Sequence, residues 1–168
     1  MSFDEVRVIT VVYLAVFLPL FIYFTNKSKL PNWIPTFYIV GVVVCALGWE
    51  LWFTYGWIDG HSVDIRRSEV LNTWLPKNLN WLMNSMGDAG AVLLGGVWLM
   101  WLTHRKDATI FKQWRWSAFT ILIFWCISQN ILVEMFLYHD QLADGKPLSW
   151  APMLSLIHIS EPTRPTLI

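Results

Sequence analysis

Three carboxylates, Glu50, Asp88 and Glu134, stand where the surrounding sequence is apolar. Ionisable groups inside lipid are costly, so they face a bundle interior or a water-filled cavity. None of the three is isolated. Asn80, Asn84 and Asp88 recur at i, i+4 and i+8, which places them on one helical face. Asn130, Glu134 and Tyr138 repeat that spacing, with Gln129 beside them. Trp49 and Trp52 flank Glu50, and an aromatic wall beside carboxylates suits a large apolar ligand that carries or develops positive charge. Glu50 and Asp88, two acids at matching depth with no basic residue on the same stretch of helix, are hard to justify as packing and are the candidate functional pair. Trp49, Trp52, Asn84, Gln129, Asn130, Glu134 and Tyr138 are the candidate ligand-binding residues. The plainer alternative for Asn80, Asn84 and Gln129 is interhelical hydrogen bonding, worth on the order of 0.6 kcal/mol per bond.

Other chemistries lack their residues. A di-iron bundle needs Glu-x-x-His pairs on two helices, and neither His61 nor His139 has that spacing. Cys45 and Cys126 lie inside apolar runs without metal-type or disulfide-framework spacing. There is no glycine-rich phosphate loop, nucleophile elbow or Cys/His catalytic pattern. No metal and no cofactor are expected.

The elements that must position the carboxylates are membrane spans. Of the 168 residues 55% are hydrophobic, 14% charged and twelve tryptophan, which argues against a soluble globule and against disorder. Twelve basic residues balance twelve acidic ones, so a nucleic-acid partner is not indicated. A hydrocarbon core about 30 Å thick takes roughly 20 helical residues, and four runs qualify: 6–24, 34–55, 79–103 and 117–138. The expected fold is an all-α polytopic transmembrane bundle, 1–153, with a kink at Pro19 and no other sign of a broken helix. At about 1.5 Å per residue, Glu50, Asp88 and Glu134 all fall roughly 6 to 14 Å below one surface. Gly87, Ala91 and Gly95 form a small-residue stripe that would let helices approach closely, bringing Asp88 towards Glu50 or Glu134.

Six basic residues, Lys27, Lys29, Arg105, Lys106, Lys112 and Arg115, lie on the first and third connections. Five, Arg7, Arg66, Arg67, Lys77 and Lys146, lie on the other side. The positive-inside rule then turns the first and third connections to the cytoplasm and both termini away from it. The expected location is the bacterial inner membrane or the endoplasmic reticulum. Trp33, Trp98, Trp101, Trp114 and Trp116 fit the inner interfacial belt.

The order of features resembles the emopamil-binding protein family, the sterol-isomerase-like proteins that share the EXPERA domain. The matching elements, over residues 35–150, are Gly48-Trp49-Glu50 late in the second span, Asp64-Ile65-Arg66 in the loop, Asp88 early in the third span, and Gln129, Asn130 and Glu134 in the fourth. The resemblance implies movement of a carbon–carbon double bond within a sterol ring, by protonation of one carbon and loss of a proton from another. Glu50 and Asp88 would then be the acid/base pair, Trp49 or Trp52 a wall facing the transient cation, and Asn130 or Glu134 an orienting partner. The pattern departs at Ala46, where the family's isomerases carry a histidine one turn before the span-two acid. Family members that bind sterol-like or cationic amphiphilic ligands without isomerising them are the alternative precedent. A third class is a proton-relay or transport subunit using Glu50, Asp88 and Glu134.

The segment LSLIHISEPTR, 154–164, reads as the one-frame translation of a transposon-type sequencing adapter. The natural chain is therefore expected to be legible only to about Met153, with a fifth helix lost beyond it. Expected partners are an apolar or cationic amphiphilic small molecule and the lipid bilayer, with homo-oligomerisation left open.

Overall fold

A computed structural model describes residues 1–56 and 62–133, and among them the secondary structure is entirely helical. Helix α1 (Phe3–Asn26) opens on a capping box, in which the Ser2 hydroxyl accepts from the Glu5 amide and the Glu5 carboxylate from the Ser2 amide. The two bonds satisfy backbone donors that a helix start leaves open. The helix runs on through Pro19 as one element, so the expected kink does not divide the first span. A single 3-10 turn, Lys27–Lys29, leads to α2 (Ile34–Leu47), whose first turn holds Pro35.

The second span is not one helix. It breaks at Gly48 and resumes, bent by 42°, as α3 (Trp49–Tyr55). Gly48 has φ −89° and ψ −121°, and a Cβ there would lie 2.6 Å from the Val44 carbonyl oxygen. Only a residue without a side chain fits such an approach. The sequence reading placed its single helix irregularity at Pro19. The break lies instead at Gly48, because glycine releases the backbone where proline in an otherwise regular helix does not have to end it.

Two short helices, α4 (Val63–Arg66) and α5 (Glu69–Trp74), precede the third span. That span starts as α6 (Lys77–Ala89), widens into one π-helical turn (Gly90–Leu94) and continues as α7 (Gly95–Thr103). A 3-10 turn, Ala108–Phe111, leads to α8 (Trp116–Leu132).

Helix α6 is central, packing on α1, α2 and α3, whereas α8 packs on α7. One apolar core joins Val8, Val12 and Val16 of α1 to Leu71, Leu75 and Met83. A second, towards the other end, joins Leu30 and Ile34 to Leu94, Val97, Trp101 and Ile110. The small-residue stripe serves one of the two expected helices and one that was not expected. A Cβ on Gly87 or Gly90 would lie 3.2 or 3.0 Å from Ala15 of α1, and one on Gly95 3.0 Å from the Trp125 ring of α8. The close approach is thus to α8, within the expected run 117–138, and to α1, not to the helix that carries Glu50.

Two helices, Phe3–Lys29 and Lys77–Thr103, are long and apolar enough to cross a membrane, and the bent pair of the second span makes a third if taken as one crossing. Within the described residues α8 has 17 residues, short of a full crossing, and the rest of 117–138 lies outside them. Large apolar side chains point outward along α1, α2 and α8, among them Phe17, Phe21, Ile39, Val43, Phe124 and Ile127. Contiguous exposed apolar surface on this scale is what a bilayer covers.

Candidate functional site

The break and the π turn bracket a cavity of about 550 Å³ between α1, α2, α3, α6 and α8. Its polar lining consists of Trp49, Glu50, Asn84, Asp88, Gln129 and Asn130, and its remainder is apolar, including Val11, Met83, Val92 and Val133. Two separate elements converge on it. Ending α2 at Gly48 swings α3 so that Trp49 and Glu50 face α6, and Asn84 and Asp88 stand one turn apart on the opposing helix.

Glu50 is only 2% exposed. Its partners are Thr54, whose hydroxyl donates to Oε2 at 3.5 Å, and the Asn84 side chain. Glu50 and Asp88 are near enough to feel each other's charge, and Cys45 lies near both. The Trp49 indole donates to Asp88 Oδ2 at 2.8 Å. This bond ties α3 to α6 and fixes one carboxylate oxygen, because an N–H to an acid group is among the stronger hydrogen bonds. Gln129 and Asn130 each donate an amide N–H to the Cys126 carbonyl, at 3.4 and 2.9 Å, while still lining the cavity.

Of the nine residues singled out by sequence, six meet at this cavity: Trp49, Glu50, Asn84, Asp88, Gln129 and Asn130. Trp52 does not line it and is 45% exposed. Glu134 and Tyr138 lie outside the described residues, as do Trp57, His61 and His139. Asn80 leaves the pattern of Asn84 and Asp88, since its Oδ1 accepts from Arg67 Nη1 at 2.8 Å.

Arg67, in the sequence only one of five basic residues on that side, has a structural role that its position does not announce. It is buried, and its guanidinium also donates to Asn72 Oδ1 at 2.7 Å and to the Leu75 carbonyl. Asn72 in turn donates to the Asp64 carbonyl at 2.7 Å, and Lys77 pairs with Asp64 at 3.1 Å. A hydrogen bond from the Ser62 hydroxyl, followed by Lys77, holds the Asp64 carboxyl below the usual carboxylate range. This network, with Ser68 bonded to Glu5 at 2.6 Å, closes the end of the bundle nearest the cavity. The available signal was the Arg66-Arg67-Ser68 run, a basic pair directly before a helix N-cap.

A second cavity, about 390 Å³ and apolar, lies between α1, α7 and α8, lined by Leu18, Pro19, Ile22, Leu94, Trp98 and Trp125 among others. The two cavities share Val11, Ala15 and Ala91 as wall residues. Trp125 donates to the Ala91 carbonyl at 2.8 Å, within the π turn. Among the described residues no three His, Cys, Asp or Glu side chains are grouped as metal ligands. No protein-family model, curated protein or solved structure matches the chain.

Proposed function

We propose that the protein is a four-span membrane bundle that binds a sterol- or terpenoid-like lipid, or a cationic amphiphile of similar size, in the 550 Å³ cavity. The observation that carries this reading is the cavity's mixed lining: two carboxyl groups, an indole and three side-chain amides are set among apolar side chains. Ligand sites are mostly apolar, with a few placed polar groups that fix orientation, and this volume lies within their usual range of about 300–1,000 Å³. Glu50 and Asp88 attract the polar or cationic end of the ligand, and Trp49 holds Asp88 in position. The adjoining apolar cavity takes hydrocarbon that extends beyond Ala91.

The resemblance to emopamil-binding proteins supports the same class of ligand and extends it to catalysis. One carboxyl would protonate an alkene carbon, and the other, as carboxylate, would take a proton from a neighbouring carbon and leave the double bond shifted. Ala46 stands where that family's isomerases carry a histidine, so binding is the conclusion and isomerisation its extension. A second reading, proton relay, is favoured by one feature: both carboxylates adjoin helix irregularities, Gly48 and the π turn, and interrupted helices are a transporter trait.

Binding of a tertiary-amine amphiphile to the detergent-purified chain tests the proposal. Glu50→Gln and Asp88→Asn are each expected to weaken it by at least roughly tenfold, about 1.4 kcal/mol. Unchanged affinity in both variants would sink the assignment. Double-bond position in the product of incubation with a sterol and terpenoid panel decides between the catalytic and binding forms.

A further inference from the structure

At the opposite end of the bundle the first and third connections come together. Trp33 meets Phe111 edge to face at 5.9 Å, and Leu30 and Ile34 pack with Trp101 and Ile110. This end therefore gathers Lys27, Lys29, Arg105, Lys106, Lys112 and Arg115 against a single acid, Asp107. Asp107 is already engaged, accepting from the Thr109 amide at 2.8 Å and the Thr109 hydroxyl at 2.6 Å. Arg105 and Lys106 occupy consecutive left-handed conformations, φ 56° and 63°. Side-chain-bearing residues adopt these only when the surrounding structure holds them there. Here the Lys106 amide is held by the Trp101 carbonyl at 2.8 Å, and its ammonium lies 6.0 Å from the centre of the Trp101 ring.

Beside this turn runs a groove of about 340 Å³ whose lining mixes polar residues, Lys112, Gln113 and Arg115, with apolar ones that include Met100, Phe119 and Leu122. Neither Lys112 nor Arg115 has an ion pair among the described residues. Trp114, Trp116 and Phe119 form an aromatic cluster of edge-to-face and tilted pairs with ring centres 5.0 to 5.9 Å apart. The two tryptophans are 66% and 71% exposed. Indoles so placed sit at headgroup depth, and basic residues beside them attract anionic lipid.

We propose that this groove binds an anionic glycerophospholipid, its phosphate between Lys112 and Arg115 and an acyl chain along Phe119 and Leu122. The charge excess selects the lipid's sign. The apolar floor distinguishes a lipid from a free phosphate, which has nothing to lay along Met100 and Leu122.

The test uses the full chain, purified in neutral detergent and equilibrated with equal amounts of dioleoylphosphatidylglycerol and dioleoylphosphatidylcholine. Retained lipid is quantified after washing. The anionic lipid should be retained in preference by at least roughly fivefold. Lys112→Gln with Arg115→Gln should abolish the preference, Lys112→Arg with Arg115→Lys should keep it, and Lys27→Gln with Lys29→Gln should leave it intact. Excess glycerol phosphate should not displace the lipid. A preference untouched by the first pair, an equal loss from the Lys27 and Lys29 pair, or displacement by glycerol phosphate would each overturn the proposal. If the Gln pair fails to fold, the single variants Lys112→Gln and Arg115→Gln carry the same comparison.

Discussion

Trp49 and Trp52 are three residues apart on one short helix, yet only Trp49 reaches a carboxylate. Trp49→Phe keeps the ring but removes the donor to Asp88, and ligand affinity should fall several-fold; Trp52→Phe should leave it within error in the same titration. The difference was not readable from the chain, because the bonded pair lies 39 residues apart in sequence. Spacing did reveal that Asn84 and Asp88 share a face, since helical period is a local property. Arg67 escaped for the opposite reason: a second arginine in a polar loop reads as solvated until its acceptors are known. Arg67→Met should cost about 3 kcal/mol, as charged hydrogen bonds are lost and Asn80 and Asn72 are left without their donor. Thermal unfolding in detergent measures it. The nearby Asp64 carboxyl lies below its unfolded value, so its contribution to stability is present above the unfolded range, near 4, and is lost as pH falls through the folded value. The unfolding midpoint should hold steady from pH 7 to about 5 and then drop, with Asp64→Asn flattening part of that drop.

Among the elements, the first and third spans were legible because long apolar runs can hardly be anything else. The interruption of the second was not, since a lone glycine is tolerated inside many helices. Its consequence for the site is large. A straight helix through residue 48 would carry Glu50 and Trp49 along the α2 axis, whereas the 42° bend turns them to face α6. Gly48→Ala would force a Cβ to within 2.6 Å of the Val44 carbonyl. The expected outcome is loss of ligand affinity with most helicity retained, seen by comparing titration with far-ultraviolet circular dichroism. Retained affinity would show that the bend is not what positions Trp49 and Glu50.

On the scale of the whole molecule, large apolar side chains face outward along the described helices, and the buried polar ones gather at the carboxylate cavity and its cap. Such a chain should stay in the membrane pellet through alkaline extraction, and release into the supernatant would contradict the inside-out arrangement. The π turn also has a mechanical meaning. A turn one residue wider than an α turn offsets everything beyond it by about 100° around the axis. Asp88 precedes that turn, and Trp98 and Trp101 follow it. The carboxylate half and the tryptophan half of this span are therefore clocked independently, like two keys on one shaft. Removing a single residue from Gly90–Leu94 would leave the composition of the span almost untouched. It would rotate the lower half out of register with α8, so the alignment of the molecule's two ends depends on the length of five residues.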